Sequence, residues 1–220
     1  MPLDHFSDEA LTQVDIAAIE AYNRRAPAKF TLHPEMGPSP FEGNIESASV
    51  VLLLSNPGFD SSSTTADHQF KRNGWPLAGL HPDAPSGLRG WWTARLKPLI
   101  SEFGAQVVSN QVAAMQLTPW ASPKFDSSLR LPSRMRVLEL VGNVAARGAV
   151  IVVMRSQALW CESERVANAA NRHRVNSWRS SYVSPGNLSA TGWQAVRAAL
   201  HQPSNPSLKG TSAGKPAATP

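Results

Sequence analysis

Val50 to Leu54 is an unbroken apolar run that stops abruptly at Ser55-Asn56-Pro57-Gly58, and it restricts the fold more than any other stretch of the chain. The segment Ser49–Leu54 is too short to be a helix and lacks the alternation of a strand with one wet face. It therefore predicts a strand buried on both faces and entering a turn, as in a parallel sheet covered by helices. Ala149–Met154 is a second run of the same kind. Between the two, Leu88, Trp91, Trp92, Leu96, Leu99, Ile100 and Phe103 recur at helical spacing up to Gly104, and Ser133 opens a second helical pattern reaching about Arg147 with Met135, Leu138, Val141 and Ala145 inward. Helix alternating with buried strand predicts a three-layer α/β/α domain around a short parallel sheet of about four strands.

The other elements follow from local signals. Ser7 before Asp8 and Glu9 reads as a helix cap, with Leu11, Val14 and Ala18 as its buried stripe. The prolines of Arg25–Asn44 and the Ser, Pro and Gly of Ser61–Gly90 read as loops. Gln106–Asn110 is expected to be a strand, Val112–Pro132 a proline-broken connection, and Gln157 to about Asn171 a helix. A fourth strand is expected near Trp178–Val183, before a last helix carrying Trp193, Val196 and Leu200. Residues 1–202 read as one domain. From 203 to 220 the chain has almost no large apolar residue, which predicts a disordered and dispensable tail.

Charge and composition narrow the class. No apolar stretch is long enough to span a membrane, and the acidic start does not resemble a signal peptide, so a cytoplasmic protein is expected. The single cysteine, Cys161, allows no internal disulfide. Six scattered histidines and the absence of any glycine-rich phosphate loop point to neither metal nor cofactor. The net charge is +5, and between Arg134 and Arg179 eight arginines face three acids. Such an excess suits a polyanion, and DNA is the expected partner, with Arg165, Arg172, Arg174 and Arg179 as candidate contacts.

In an open parallel sheet ligands bind beyond the carboxyl ends of the strands, where this sequence places three polar turns. They are Ser55-Asn56-Pro57-Gly58-Phe59-Asp60; Ser109-Asn110 with Leu117-Thr118-Pro119-Trp120 beyond it; and Ser184-Pro185-Gly186-Asn187. Taken singly each is ordinary turn chemistry. In the first, proline fixes one backbone angle and glycine admits an unusual one, so the pair is expected to aim Asn56 reproducibly.

The order of these motifs resembles the uracil-DNA glycosylase superfamily, in particular its divergent members with an Asn-Pro-Gly first motif. The resemblance implies that Asn56 holds the hydrolytic water and that Asn110, at the end of the next strand, reads the base edge. Ser184 and Pro185 match the second half of the family's last motif, His-Pro-Ser-Pro, with Tyr182 standing where its histidine would be. Phe59 or Phe70 would stack on a flipped base. Ser55, Pro57, Gly58, Gly186 and Asn187 complete the implied substrate site. The expected activity is hydrolysis of the N-glycosidic bond of a damaged or deaminated base such as uracil. The alternatives are an inactive DNA-binding module of the same fold and an enzyme acting on a small nucleoside-like metabolite. On this reading Asn56, Asn110 and Asn187 share one edge of the sheet, flanked by the arginines. Separately, Asn205-Pro206-Ser207-Leu208-Lys209-Gly210-Thr211 resembles the read-through ends of bacterial integron gene cassettes.

Overall fold

The computed structural model describes residues 3–177 and 179–201. Trp178 and the tail from 203 onward lie outside them. Helix α1 (Asp8–Asn23) begins where expected, the Ser7 hydroxyl accepting a hydrogen bond from the Ala10 amide at 3.2 Å, and it buries Leu11, Asp15 and Ile19. The proline-rich loop that follows contains a two-residue strand, β1 (Phe41–Glu42), before the buried strand β2 (Val50–Leu54). Next come α2 (Thr65–His68), α3 (Ser86–Phe103), α4 (Ala105–Gln111) and β3 (Val112–Gln116). The chain continues through α5 (Arg134–Ala146), β4 (Val150–Val153), α6 (Gln157–Trp160), α7 (Glu164–Ala167), β5 (Arg172–Arg174) and α8 (Ala190–His201).

The strands form one sheet of order β1-β3-β2-β4-β5, parallel except for β1 at the edge. Central β2 alternates its side chains between two cores. Val51 and Leu53 pack with Leu11 and Ile19 of α1 and Val137 and Val141 of α5. Val50, Leu52 and Leu54 pack with Trp92, Leu96 and Leu99 of α3 and Val196 and Leu200 of α8. The three-layer α/β/α expectation therefore holds. The chain leaves β2 for β3 on one side and returns past β2 to β4 on the other, so the connections diverge between β2 and β4. A doubly wound sheet opens a ligand crevice at the carboxyl ends of such a strand pair.

Several local expectations fail. Gln106–Asn110 is helical, and the second parallel strand is Val112–Gln116, within the stretch read as a connection. The fourth parallel strand is Arg172–Arg174, not the neighbourhood of Val183. The helix expected from Gln157 to Asn171 is two short ones, α6 and α7. Met135 is 71% exposed although its spacing placed it inward. Ser133 precedes α5 without capping it: its hydroxyl is buried without a partner, and its amide donates instead to the Asp15 carboxylate at 2.9 Å.

Candidate functional site

The turns after β2 and β3 are laced together. The Leu117 and Thr118 amides donate to the Leu54 and Ser55 carbonyls, and the Ser122 amide donates to the Pro57 carbonyl. Into this seam Asn56 directs its amide nitrogen, which donates to the Pro57 carbonyl at 2.8 Å, the Ser122 carbonyl at 3.2 Å and the Ser122 hydroxyl at 2.9 Å. The Ser122 hydroxyl gives its own proton to the Lys124 carbonyl, which leaves its oxygen as an acceptor for Asn56. Because carbonyls only accept, the amide orientation is fixed and Oδ1 is turned away, receiving no hydrogen bond from the described residues. Asn56 is thus aimed reproducibly, but by Ser122 rather than by glycine: Gly58 is not left-handed, and an added Cβ there would meet open space.

One strand over, Gln116 ends β3 in register with Leu54, and its Oε1 is buried without a partner. An orphaned buried carbonyl costs roughly 1–3 kcal/mol, so a donor from a ligand is the natural complement. Between β2 and β4 the Ser55 and Ser156 hydroxyls share a hydrogen bond of 2.8 Å. Among the described residues Ser156 is the one non-glycine with left-handed backbone, φ 55° and ψ 39°. Such strain gathers at functional sites.

The asparagine pair does not survive. Asn110 lies at the end of α4, before β3 begins, whereas Asn56 follows β2; the two strands are parallel and in register, so these residues are at opposite ends of the sheet. Asn110 is exposed there and shares a hydrogen bond with Gln106. The expected common edge of Asn56, Asn110 and Asn187 is therefore overturned, and the amide at the carboxyl end of β3 belongs to Gln116.

Asn187 is at the expected end but is consumed by its own loop. Its Oδ1 accepts from the Ser177 amide at 2.8 Å, while Nδ2 donates to the Ser180 and Tyr182 carbonyls. Tyr182, Ser184, Gly186 and Asn187 line an open groove of about 500 Å³ against Ala94, Lys97 and Pro98 of α3, and none of Ser55–Phe59 borders it. Pro185 is exposed beside it.

The expected aromatic face is half taken. Phe59 stacks on His33 with ring centroids 3.5 Å apart and planes 9° off parallel, and Phe70 is half-buried. His33 comes from the proline-rich loop, its amide donating to the Ala121 carbonyl next to the partner of Asn56. Its Nδ1 lies 2.7 Å from Glu35. Burial works against ionisation of Glu35, but the hydrogen bond with His33, a backbone hydrogen bond and the charge of His33 together outweigh it and hold the carboxyl below its ordinary range. Burial lowers the pKa of His68, opposed by Asp67 and Asp60, and His33 lowers it further. Nothing in the spacing of these residues marked them as a group.

The candidate DNA arginines are dispersed. Arg165 donates to Asn143 of α5, and Arg172 donates to the Cys161 sulfur and the Ala167 carbonyl; both serve the layer of α5 and α7 instead of flanking the crevice. Arg174, exposed, reaches Gln157 at 3.5 Å, and Arg179 is exposed in the loop beyond β5. Among the described residues no cluster of three His, Cys, Asp or Glu side chains is arranged to hold a metal, and no helix is long and apolar enough to cross a membrane. Fold and site together define a doubly wound α/β protein with polar side chains gathered at the carboxyl ends of β2, β3 and β4, where a sheet of this kind binds its ligands. Comparison with protein-family models, with curated proteins and with solved structures finds no match to this chain.

Proposed function

We propose that the crevice hydrolyses the N-glycosidic bond of a base in DNA, in the manner that the first motif's resemblance to uracil-DNA glycosylases implies. The observation that carries the reading is the pair of amides at the carboxyl ends of adjacent strands, Asn56 with Nδ2 clamped and Oδ1 free, and Gln116 with a buried carbonyl lacking a donor. Asn56 Oδ1 accepts a hydrogen bond from the water and points its lone pair at the sugar carbon. As that oxygen bonds to carbon, the carbon–nitrogen bond breaks and its electron pair leaves with the base. The water's surplus proton passes to solvent or to the departing base, because a neutral amide does not take it. Gln116, not Asn110, reads an N–H on the base edge. His33, oriented through Nδ1 by Glu35, takes the place of the imidazole missing from the last turn: in its doubly protonated form it donates Nε2–H to the leaving base and stabilises the charge developing there.

A second reading, a DNA-binding module without hydrolysis, draws on Tyr182, which stands in place of the motif histidine and packs toward Arg95 at 5.8 Å. One assay separates the two: base release from single-stranded and duplex oligonucleotides carrying uracil or other lesions. Release by the wild type that falls at least tenfold in His33→Gln supports the hydrolytic reading. No release from any lesion, with binding retained, leaves the module.

A further inference from the structure

Arg72, Arg130, Arg134 and Arg197 each pair with a carboxylate. Arg155, just past the carboxyl end of β4, and Arg95, joined to the last loop, have none among the described residues. Arg95, in α3, lies over the Trp91 ring at 3.8 Å and has the Tyr182 ring at 5.8 Å. Its Nη1 donates to the Trp91 carbonyl at 3.0 Å, but Nε is buried with no acceptor. Its own carbonyl accepts from the Val183 amide at 2.9 Å, which ties the last loop to α3 at this point. Arg155 directly follows Met154 at the end of β4, next to left-handed Ser156, and donates through Nε to the Ser181 hydroxyl at 3.1 Å. Burial, assisted by the charge of Arg155, pushes the Arg95 guanidinium below its ordinary pKa.

Two cations anchored on one short segment, Arg155 at Ser181 and Arg95 at Tyr182 and Val183, one of them partly desolvated with a donor left over, are unfavourable unless an anion joins them. Two planar forks from different elements converge better on a tetrahedral oxyanion than on a single carboxylate, which one arginine satisfies alone. Aromatic rings behind Arg95 hold its plane open to a ligand at small entropic cost.

We infer that Arg95 and Arg155 form a seat for one phosphate-ester oxyanion at the mouth of the crevice. The seat deepens the proposed function, on which it rests for the identity of the ligand as a nucleotide. The chemistry is shared by a phosphodiester of a DNA strand and by a free nucleotide.

The test is fluorescence anisotropy with a labelled single-stranded DNA 12-mer over a salt series, using Arg95→Gln, Arg155→Gln and wild type. Each variant should weaken binding tenfold or more, and the slope of log affinity against log salt should fall by about 0.7, the contribution of one phosphate on a single strand. Competition by millimolar deoxyuridine monophosphate identifies a free nucleotide as able to fill the seat; no competition assigns it to the strand. Wild-type affinity and slope in Arg155→Gln overturn the seat, and because that side chain is exposed the variant decides even if Arg95→Gln unfolds. Failure of the wild type to bind the 12-mer or the nucleotide overturns it too. Base release is read in parallel. Weakened binding in the variants with no release by the wild type keeps the seat and ends the hydrolytic proposal, whereas wild-type binding in both variants with release retained ends the seat alone.

Discussion

Asn56 and Asn187 are both asparagines of polar turns beyond the sheet's carboxyl ends, one preceding proline and the other following glycine, and their amides meet opposite fates. In Asn187 both ends are used, Oδ1 by the Ser177 amide and Nδ2 by the Ser180 and Tyr182 carbonyls, and the side chain replaces the backbone ladder that this loop lacks. In Asn56 only Nδ2 is used, and it bridges two different turns. A saturated buried amide is a structural strut; a half-saturated one on a rigid turn is an acceptor waiting for a ligand. Hydrogen-bond accounting separates residues that look alike in sequence.

The largest effect expected from breaking this contrast is on Asn56. Asn56→Ala should lower base release by a hundredfold or more, the scale of losing a group that acts on the attacking water, while costing about 1 kcal/mol of stability from the lost bridge to Ser122. Release rate and melting temperature measured on one preparation check it. A destabilised but fully active protein assigns Asn56 to turn-capping alone. Asn56→Asp sharpens the same point, since a carboxylate oxygen cannot donate to the Pro57 and Ser122 carbonyls and should cost more stability than alanine does.

Next in size is Asn187→Ala, which strands one loop amide and two carbonyls and should cost about 2–3 kcal/mol. For a domain of this length that is a drop of roughly 4–12 °C in melting temperature. An unchanged melting temperature would refute its role as a strut. Gln116→Leu removes an unpartnered buried carbonyl and should leave stability within about 1 kcal/mol of wild type, or raise it, while lowering release at least tenfold if Gln116 reads the base. A clear loss of stability with activity spared would instead assign Gln116 to packing.

The smallest effect concerns Glu42, on β1, which accepts from the Trp92 indole at 2.9 Å. Burial raises its pKa above the ordinary 4.5, opposed by Lys71 and by the indole. A raised folded-state pKa favours folding below 4.5 and loses that advantage as pH climbs through the raised value. The stability of Glu42→Gln relative to wild type should therefore increase from pH 4 toward neutrality, as measured by urea unfolding across that range. A difference independent of pH would show that the carboxyl ionises freely.

Local signals carried the buried strands β2 and β4, the long helix α3 with its Gly104 stop, the cap at Ser7 and the three-layer class. These depend on consecutive apolar residues, on helical spacing and on cap chemistry, all readable within a dozen residues. The strand β3 was hidden because Val112-Ala-Ala-Met-Gln has few strand-forming residues; its alanines suit a central strand where backbone comes close, and a Cβ on Gly43 would lie 2.7 Å from the Ala113 Cα. Conversely Val107-Val108 looked like strand, yet Val108 packs under a short helix while Val107 is exposed. That exchange moved Asn110 to the wrong end of the sheet and brought Gln116 to the right one. Arg172–Arg174 forms an edge strand by pairing with Ile151–Val153, which no local pattern announces. The sequence by itself determined the class of fold and the turn that holds Asn56. Tertiary structure alone decided which amides keep a free oxygen, that His33 meets Phe59, and that Arg95 and Arg155 both hold the Ser181–Val183 segment. These contacts join residues far apart in the chain, and their energies are set by burial and hydrogen-bond partners that exist only once the layers have packed.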